Sequence, residues 1–269
     1  MFEYDFMRTA FMAGGVVAIV AGAVGFFLVL RSLTFAGHAL SHVGFAGATG
    51  SVLIGVSPLW GLLAFTLAAA LAMGLLGDRL RGRDVAVGII LSLSLGLGVL
   101  FLYFYTTHAT QATAILFGNV LGVSLDTLWS LLALSVVSLV ALALISRPLL
   151  FASLEPDLAE AKGVSLRLIS VLFLAIVAIA VAEAAQVVGI LLVFALMVGP
   201  AAAALRLTSR LGWAITLSIS LALIETWAGI ALAYATDWPT SFWIVSLSCF
   251  VYFLSLLNRP ATAGASRPN

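Results

Sequence analysis

The chain carries at residues 10–30 the stretch AFMAGGVVAIVAGAVGFFLVL, which contains no charged side chain. As a helix rising 1.5 Å per residue, it would span about 30 Å, the thickness of a bilayer's hydrocarbon core. The rest of the chain is similar, because 63% of its 269 residues are hydrophobic, 9% are charged and the mean hydropathy is +1.22. Soluble domains carry about 25% charged residues. We therefore expect an all-α, polytopic transmembrane helix bundle.

Apolar segments of this kind, separated by polar breaks, predict about nine spans. They cover residues 10–30, 39–56, 58–77, 85–105, 126–145, 166–183, 186–205, 211–233 and 240–257. Residues 111–122 are apolar but too short to cross, so we expect a re-entrant or interfacial piece held by neighbouring protein. A single transmembrane domain is predicted over residues 1–258, followed by a tail at 259–269.

Basic residues lie almost entirely on one side of this path, and only Arg8 lies on the other. The side that collects them holds Arg31, Arg79, Arg81, Arg83, Arg147, Lys162, Arg167, Arg206, Arg210, Arg259 and Arg267. Because Lys and Arg accumulate in cytoplasmic loops, we predict a cytoplasmic C-terminus and a location in the cell (inner) membrane. Glu3 and Asp5 precede the first apolar run, the wrong sign for a secretory signal, so that run is expected to stay as a span.

Composition and missing motifs exclude several classes of function. The net charge of +1 gives no basic face for nucleic acid. Cys249 is the single cysteine, so neither an internal disulfide nor a thiolate metal cluster can form. The sequence has no G-x-x-x-x-G-K-[ST], G-x-S-x-G or C-x-x-C motif, so we predict no catalytic residues, no ATP hydrolysis by this chain and no permanently bound cofactor.

The second span opens with residues 31–47, RSLTFAGHALSHVGFAG, which place His38 and His42 four residues apart. On a helix this spacing stacks the side chains on one face, so two imidazoles could share a metal ion. The zinc-protease signature H-E-x-x-H has a glutamate after its first histidine, but Ala39 stands there in this chain. The pair therefore suits ion binding better than hydrolysis. A packed or hydrogen-bonded pair without metal is the alternative.

Two further features point to function. Glu225 lies in mid-span, where a carboxylate costs roughly 2.5–3.5 kcal/mol, so it is a candidate pathway residue or a carboxyl bonded to a neighbouring helix. Residues 153–164, SLEPDLAEAKGV, predict a short helix with Pro156 in its first turn and Gly163 as its terminator. Its apolar stripe suits docking on a partner or the membrane surface, although a simple connecting loop would show much the same pattern.

Four segments, in order, resemble the membrane permease subunits of ABC importers for zinc and manganese, the ABC-3 type. The segment at 31–42, RSLTFAGHALSH, resembles the family's R-x(4–5)-G-D-A-L-S-H, and ILFGNVLGVS at 115–124 resembles its I-L-F-G-x-x-L-x-V-S. The segment LAEAKGV at 158–164 is similar to the part that engages the ATPase. The segment VVGILLVFALMVGPAAA at 187–203 resembles V-V-G-x-L-L-V-x-A-L-L-x-G-P-A-A. The resemblance covers nearly the whole chain.

This resemblance implies a type II ABC-importer-like permease that forms a homodimer in the lipid membrane, with the ion route along the dimer axis. Cytoplasmic ATPase subunits would bind ATP, and an extracytoplasmic metal-binding protein would deliver the ion. The expected ATPase-coupling residues are Leu154, Leu158, Ala161, Lys162, Gly163 and Val164. The family's aspartate and histidine ligands map onto His38 and His42. Because a neutral nitrogen replaces the anionic oxygen at His38, we expect zinc to be favoured over manganese.

Other functions fit parts of the same pattern. An ABC permease for a metal chelate, such as a siderophore or corrinoid, would share the coarse architecture. An ion-coupled secondary transporter could use Glu225 or Glu183 as its proton site. An intramembrane metalloenzyme would need a base at the position of Ala39. His108, in a predicted outer loop, fits a surface residue and is left out of the site.

Overall fold

The computed structural model describes residues 3–76, 83–104 and 116–257, and within these ranges the chain is helical with no strand. The prediction of an all-α bundle is confirmed. The ten α-helices of the described part are α1 (Asp5–Leu30), α2 (Thr34–Leu53), α3 (Pro58–Leu76), α4 (Arg83–Phe104), α5 (Leu125–Leu154), α6 (Pro156–Ala161), α7 (Leu166–Val188), α8 (Val193–Leu207), α9 (Leu211–Thr236) and α10 (Thr240–Leu257). A 3-10 turn at Val120–Gly122 precedes α5.

All helices except α6 correspond to the predicted spans. Seven of them are long and apolar enough to cross a membrane on their own, namely α1, α3, α4, α5, α7, α9 and α10. Helix α2 has 20 residues but a lower mean hydropathy, because glycine, serine, threonine and histidine interrupt its apolar residues. Helix α8 has only 15 residues, so it rises about 22 Å, less than the roughly 30 Å of a bilayer's hydrocarbon core.

Several predicted boundaries differ from the structure. Helices α1 and α2 begin at Asp5 and Thr34, each five residues before the predicted span, so His38 lies inside α2. Helix α5 has 30 residues in all and runs through Arg147 and Pro148 to Leu154. Together with α6, it makes most of residues 146–165 helical, where the predicted spans leave a loop. The break between the sixth and seventh spans lies at residues 189–192, beyond the predicted gap after residue 183. Gly189 has a φ of +87° there, a backbone conformation that ends α7. Its neighbours in the sequence are apolar, so the hydropathy pattern does not show this break.

The interior of the bundle is built around α1 and α7. Helix α1 packs on α5, α7, α8 and α9, and α7 packs on α1, α2, α3 and α5. Helices α4, α5 and α10 lie at the periphery and expose large apolar side chains, of which Leu144 and Tyr103 are 76% exposed. Such a surface suits hydrocarbon, as expected of a multi-pass membrane protein.

Helix α2 is held by close backbone contacts with α3. A Cβ atom added to Gly47 would lie 2.1 Å from the carbonyl oxygen of Gly61, and one added to Gly61 would lie 2.1 Å from that of Gly47. Only glycine allows the two helices to approach so closely. Because α4 and α7 also pack on α2, this helix is enclosed by its neighbours.

We expect Gly47→Ala to separate α2 from α3 and to lower the free energy of unfolding by about 1–3 kcal/mol, the usual penalty of overpacking. The measurement is denaturant or thermal unfolding of the purified chain in detergent. Gly96→Ala in α4 is the matched control, because no other part of the described chain, apart from the adjoining turns of α4, lies within 4 Å of the added methyl group. Alanine there should leave stability unchanged or raise it by up to about 1 kcal/mol. Equal losses in the two variants would contradict the α2–α3 contact.

Candidate functional site

The side chains of His38 and His42 lie next to each other on α2, with one ring edge-on to the other. Their ring centroids are 4.6 Å apart and the ring planes meet at 83°. The first ring also packs edge-on against Phe194 at the start of α8, with 5.3 Å between centroids. The carbonyl oxygen of His38 accepts a hydrogen bond of 2.7 Å from the Ser41 hydroxyl. The two imidazoles are therefore close together, as their spacing predicts. They lie on the side of α2 where His38 contacts Phe194 of α8.

Exposure along the middle of α2 is limited to the face that carries these rings. From Ala36 to Thr49 every residue is buried except His38 and His42, which are both half-buried. An imidazole left against hydrocarbon would lose hydrogen bonds worth several kcal/mol. The open side of α2 is therefore expected to meet water, an ion or another protein surface.

The backbone that leads into α8 is irregular but well supported. The Leu191 N–H donates to the carbonyl oxygen of Leu116 over 3.2 Å. The Ser241 hydroxyl lies 2.5 Å from the carbonyl oxygen of Phe117 and 3.2 Å from that of Val188. Non-helical backbone at membrane depth needs such partners. The described part of the predicted re-entrant piece is thus held by neighbouring protein, and residues 111–115 lie outside the described ranges.

One chain supplies only part of a metal coordination sphere. Among the described residues, no group of three or more His, Cys, Asp or Glu side chains is placed to hold a metal ion. His38 and His42 therefore offer two nitrogen ligands, whereas a protein-bound zinc ion usually has four ligands. Water, the cargo's own ligands or a second copy of the chain would have to complete the set.

Glu225 and the histidine pair lie on different helices that both contact α8. Glu225 is 2% exposed on α9, which packs on α1, α8 and α10, whereas α2 packs on α3, α4, α7 and α8. Ser248 lies beside Glu225, but its hydroxyl donates to the carbonyl oxygen of Ala195 over 3.0 Å. Neither carboxylate oxygen has a hydrogen-bond partner within the described part of the chain. The carboxyl group of Glu225 is thus enclosed within the protomer.

A second buried carboxylate is fully bonded. Glu183 on α7 is 0% exposed and accepts hydrogen bonds from the hydroxyls of Ser135 (2.7 Å) and Ser138 (3.0 Å) on α5. The two serines are three residues apart, so they lie on one face of α5 and reach both carboxylate oxygens. This cluster joins α5 to α7. The sequence indicated Glu183 only as a possible proton site, and no local pattern predicted its serine partners.

The predicted coupling segment forms the short helix α6 at the junction of α5 and α7. Leu154 ends α5 rather than belonging to α6, and it is 52% exposed. Leu158 is 49% exposed, whereas Ala159 is fully buried and anchors the helix. Ala161, Lys162 and Gly163 are exposed and Val164 is half-buried. Two leucines are thus presented outward at this end of the molecule.

Arg31 has structural contacts that sequence reasoning did not anticipate. In the sequence it is one of many basic loop residues, yet its guanidinium donates to Ser153 and Ser170 on two other helices. No local signal marks these partners, since they lie far away in sequence. Several predicted features fall outside the described residues, namely Arg79, Arg81, His108, Arg259, Arg267 and the tail at 259–269.

The sequence matches known transport proteins over almost its full length. Residues 3–259 match the ABC 3 transport family. The manganese transport system membrane protein MntC of Listeria monocytogenes is 29% identical over 261 residues, which cover 97% of this chain and 93% of that protein. The manganese import system permease protein ScaB of Streptococcus parasanguinis is 30% identical over 259 residues, or 96% of this chain and 92% of that one.

A solved structure shows the same fold. PsaBC from Streptococcus pneumoniae, determined in complex with Fab, contains a chain that superimposes with a TM-score of 0.85 at 27% identity. The match covers 96% of this chain and 93% of that one.

The two buried glutamates should respond differently to removal of the carboxylate. We expect Glu183→Leu to lower the free energy of unfolding by about 1–3 kcal/mol, because two serine hydroxyls lose their acceptor. Glu225→Leu should cost less, since that carboxylate has no hydrogen bond to lose within the described residues. Unfolding of both purified variants in the same detergent gives the comparison. A larger loss for Glu225→Leu would refute this difference in bonding.

Proposed function

Because the chain belongs to the ABC 3 transport family, we propose that it is the membrane permease subunit of an ATP-driven importer of divalent metal ions, with zinc favoured over manganese. The main observation in support is that His38 and His42 are the two residues between Ala36 and Thr49 of α2 that are not buried. Family membership also favours an ABC importer over an ion-coupled secondary transporter.

We propose that two copies of the chain form the transport unit, with the ion route along their two-fold axis. One protomer offers two imidazole nitrogens, so two symmetric protomers would offer four, the number that zinc prefers. The half-buried state of both rings supports this arrangement, because their open side is available for a partner copy. The protomers would rock about the pair to give alternating access.

Zinc is proposed as the favoured ion because of the residue at position 38. The family pattern has an aspartate there, and the related proteins MntC and ScaB are named for manganese. Carboxylate oxygens suit manganese, whereas imidazole nitrogens suit zinc and other later transition metals. A pathway with histidine at both positions would therefore shift the preference towards zinc.

We place the ATPase contact at α6 and the exposed Leu154 and Leu158. The P-loop motif is absent from the sequence, so ATP would be bound and hydrolysed by separate cytoplasmic subunits. A half-exposed leucine pair held by the buried Ala159 suits insertion into a groove on such a partner. This assignment puts α6 and the C-terminus in the cytoplasm, and an extracytoplasmic binding protein would deliver the ion to the opposite side.

Uptake of radiolabelled zinc and manganese tests the histidines. In cells that lack this chain, the wild type should restore zinc uptake, and the double variant His38→Ala/His42→Ala should lower it by roughly ten-fold or more. His38→Asp should raise the ratio of manganese to zinc uptake, because it restores a hard oxygen ligand. His108→Ala is the control for loss of a histidine outside α2 and should transport normally. Normal zinc uptake by the double variant would overturn the proposed site.

Replacement of Leu158 tests the coupling assignment. Leu158→Asp should place a charge in an apolar contact and weaken association with the ATPase by roughly ten-fold or more. The measurement is the amount of ATPase that copurifies with the tagged permease, together with metal uptake. Leu158→Met keeps the volume and apolar character and should retain both. Unchanged copurification and uptake in Leu158→Asp would place the ATPase contact elsewhere.

A further inference from the structure

Arg31 bridges the two helices that flank α6. Its Nη1 donates to the Ser153 hydroxyl over 3.2 Å, and its Nη2 donates to the Ser170 hydroxyl over 3.0 Å. Ser153 uses its own hydrogen in a short bond to the carbonyl oxygen of Leu149, so its oxygen acts as the acceptor from Arg31. Ser153 lies in the last turn of α5, and Ser170 lies early in α7. Helices α5 and α7, joined by α6, are here called the α5–α6–α7 hairpin. The guanidinium therefore links α5 to α7 next to α6.

The same hairpin is joined a second time in its middle. Glu183 of α7 accepts hydrogen bonds from Ser135 and Ser138 of α5, as described above. With Arg31 at one end and this cluster farther along, α5 and α7 are constrained at two depths. A displacement of α6 would therefore move the hairpin as a unit rather than bend one leg.

Arg31 is also attached rigidly to the start of α2. It caps α1, and a tight turn follows in which Ser32 has a φ of +54° and the Leu33 N–H donates to the carbonyl oxygen of Leu28 over 2.9 Å. Gly37 in the first turns of α2 packs against Leu28 so closely that a Cβ atom would lie 2.6 Å from it. His38 lies four residues after Thr34, the first residue of α2, which is about 6 Å along the helix axis. Arg31 and His38 are therefore joined by a tight turn and the first turn of α2 rather than by a flexible loop.

We propose that Arg31 is a positioning residue that transmits movement of the α5–α6–α7 hairpin to His38 and His42. This inference rests on the proposed function, since it assumes that an ATPase moves α6. The contacts form one continuous path, from α6 through Ser153 and Ser170 to the guanidinium, and from there through the tight turn into α2. Loss of the bridge would leave the ATPase bound but would disconnect its cycle from the histidine pair.

The chemistry of the bridge requires arginine. A guanidinium holds its N–H donors in a rigid fork, so it can reach two acceptors on different helices at once. Its positive charge also lies beside the C-terminal end of α5, where the last carbonyl groups carry partial negative charge. Lysine keeps the charge but presents its donors from a single flexible nitrogen. Arg31→Lys therefore separates bridging from charge.

The test uses the whole transporter, purified through a tag on this chain with its ATPase and reconstituted in liposomes with the binding protein. The readout is the number of zinc ions imported per ATP hydrolysed, with copurified ATPase as the measure of assembly. Arg31→Lys should lower the ratio by roughly five-fold or more, the factor for a lost hydrogen bond, with assembly unchanged. Ser153→Ala/Ser170→Ala, which keeps the arginine but removes both acceptors, should give a similar loss.

Arg167→Lys is the matched control, because Arg167 lies at the start of α7 and donates to the carbonyl oxygen of Leu75 on α3. It should keep the wild-type ratio. Wild-type ratios in both Arg31→Lys and the double serine variant would overturn the role of Arg31 while leaving the proposed function standing. Loss of ATPase copurification in both would also overturn it, since Arg31 would then serve assembly. Absence of ATP-dependent zinc import by the wild type would overturn the proposed function and this inference with it.

Discussion

The enclosure of α2 on all sides but one is the constraint on which the rest of the structure depends. Gly47 and Gly61 let the backbones of α2 and α3 touch, and α4 and α7 pack on the same helix, so α2 cannot turn about its axis without losing these contacts. Helical spacing then fixes His38 and His42 on the single open face. The direction in which the two imidazoles point is therefore set by small residues one or more turns away from them.

The parts of the fold that the sequence predicts are those that depend on local composition. Apolar length located nearly all the helices, and the four-residue spacing predicted that His38 and His42 would meet. The run of α5 through Pro148 and the break at Gly189 were missed, because hydropathy does not report backbone angles. The contacts of Arg31 with Ser153 and Ser170 join residues 122 and 139 positions apart, and no local pattern encodes such pairs.

The two buried glutamates show that similar positions in a span can have different consequences. Both carboxylate oxygens of Glu183 accept hydrogen bonds from serines, so this side chain links α7 to α5. Glu225 lies among α8, α9 and α10 without such partners in the described part of the chain. A buried polar network strengthens a structure when its members are satisfied, and an unsatisfied group weakens it. Mid-span position alone, which drew attention to Glu225, therefore did not distinguish a functional group from a structural one.

Histidine at position 38 also changes the electrostatics of the proposed route. A carboxylate attracts any dication by charge, whereas an imidazole attracts it chiefly through its nitrogen lone pair, which zinc uses more effectively than manganese. Four imidazole nitrogens in the proposed dimer would leave the ion's charge uncompensated in a region of low dielectric constant, so the ion would be held less firmly than between carboxylates. Passage requires binding strong enough for entry and weak enough for release. In the proposed transporter, two imidazoles on the open face of α2 would therefore favour selection of zinc, and they would also let the ion move on when the hairpin shifts α2.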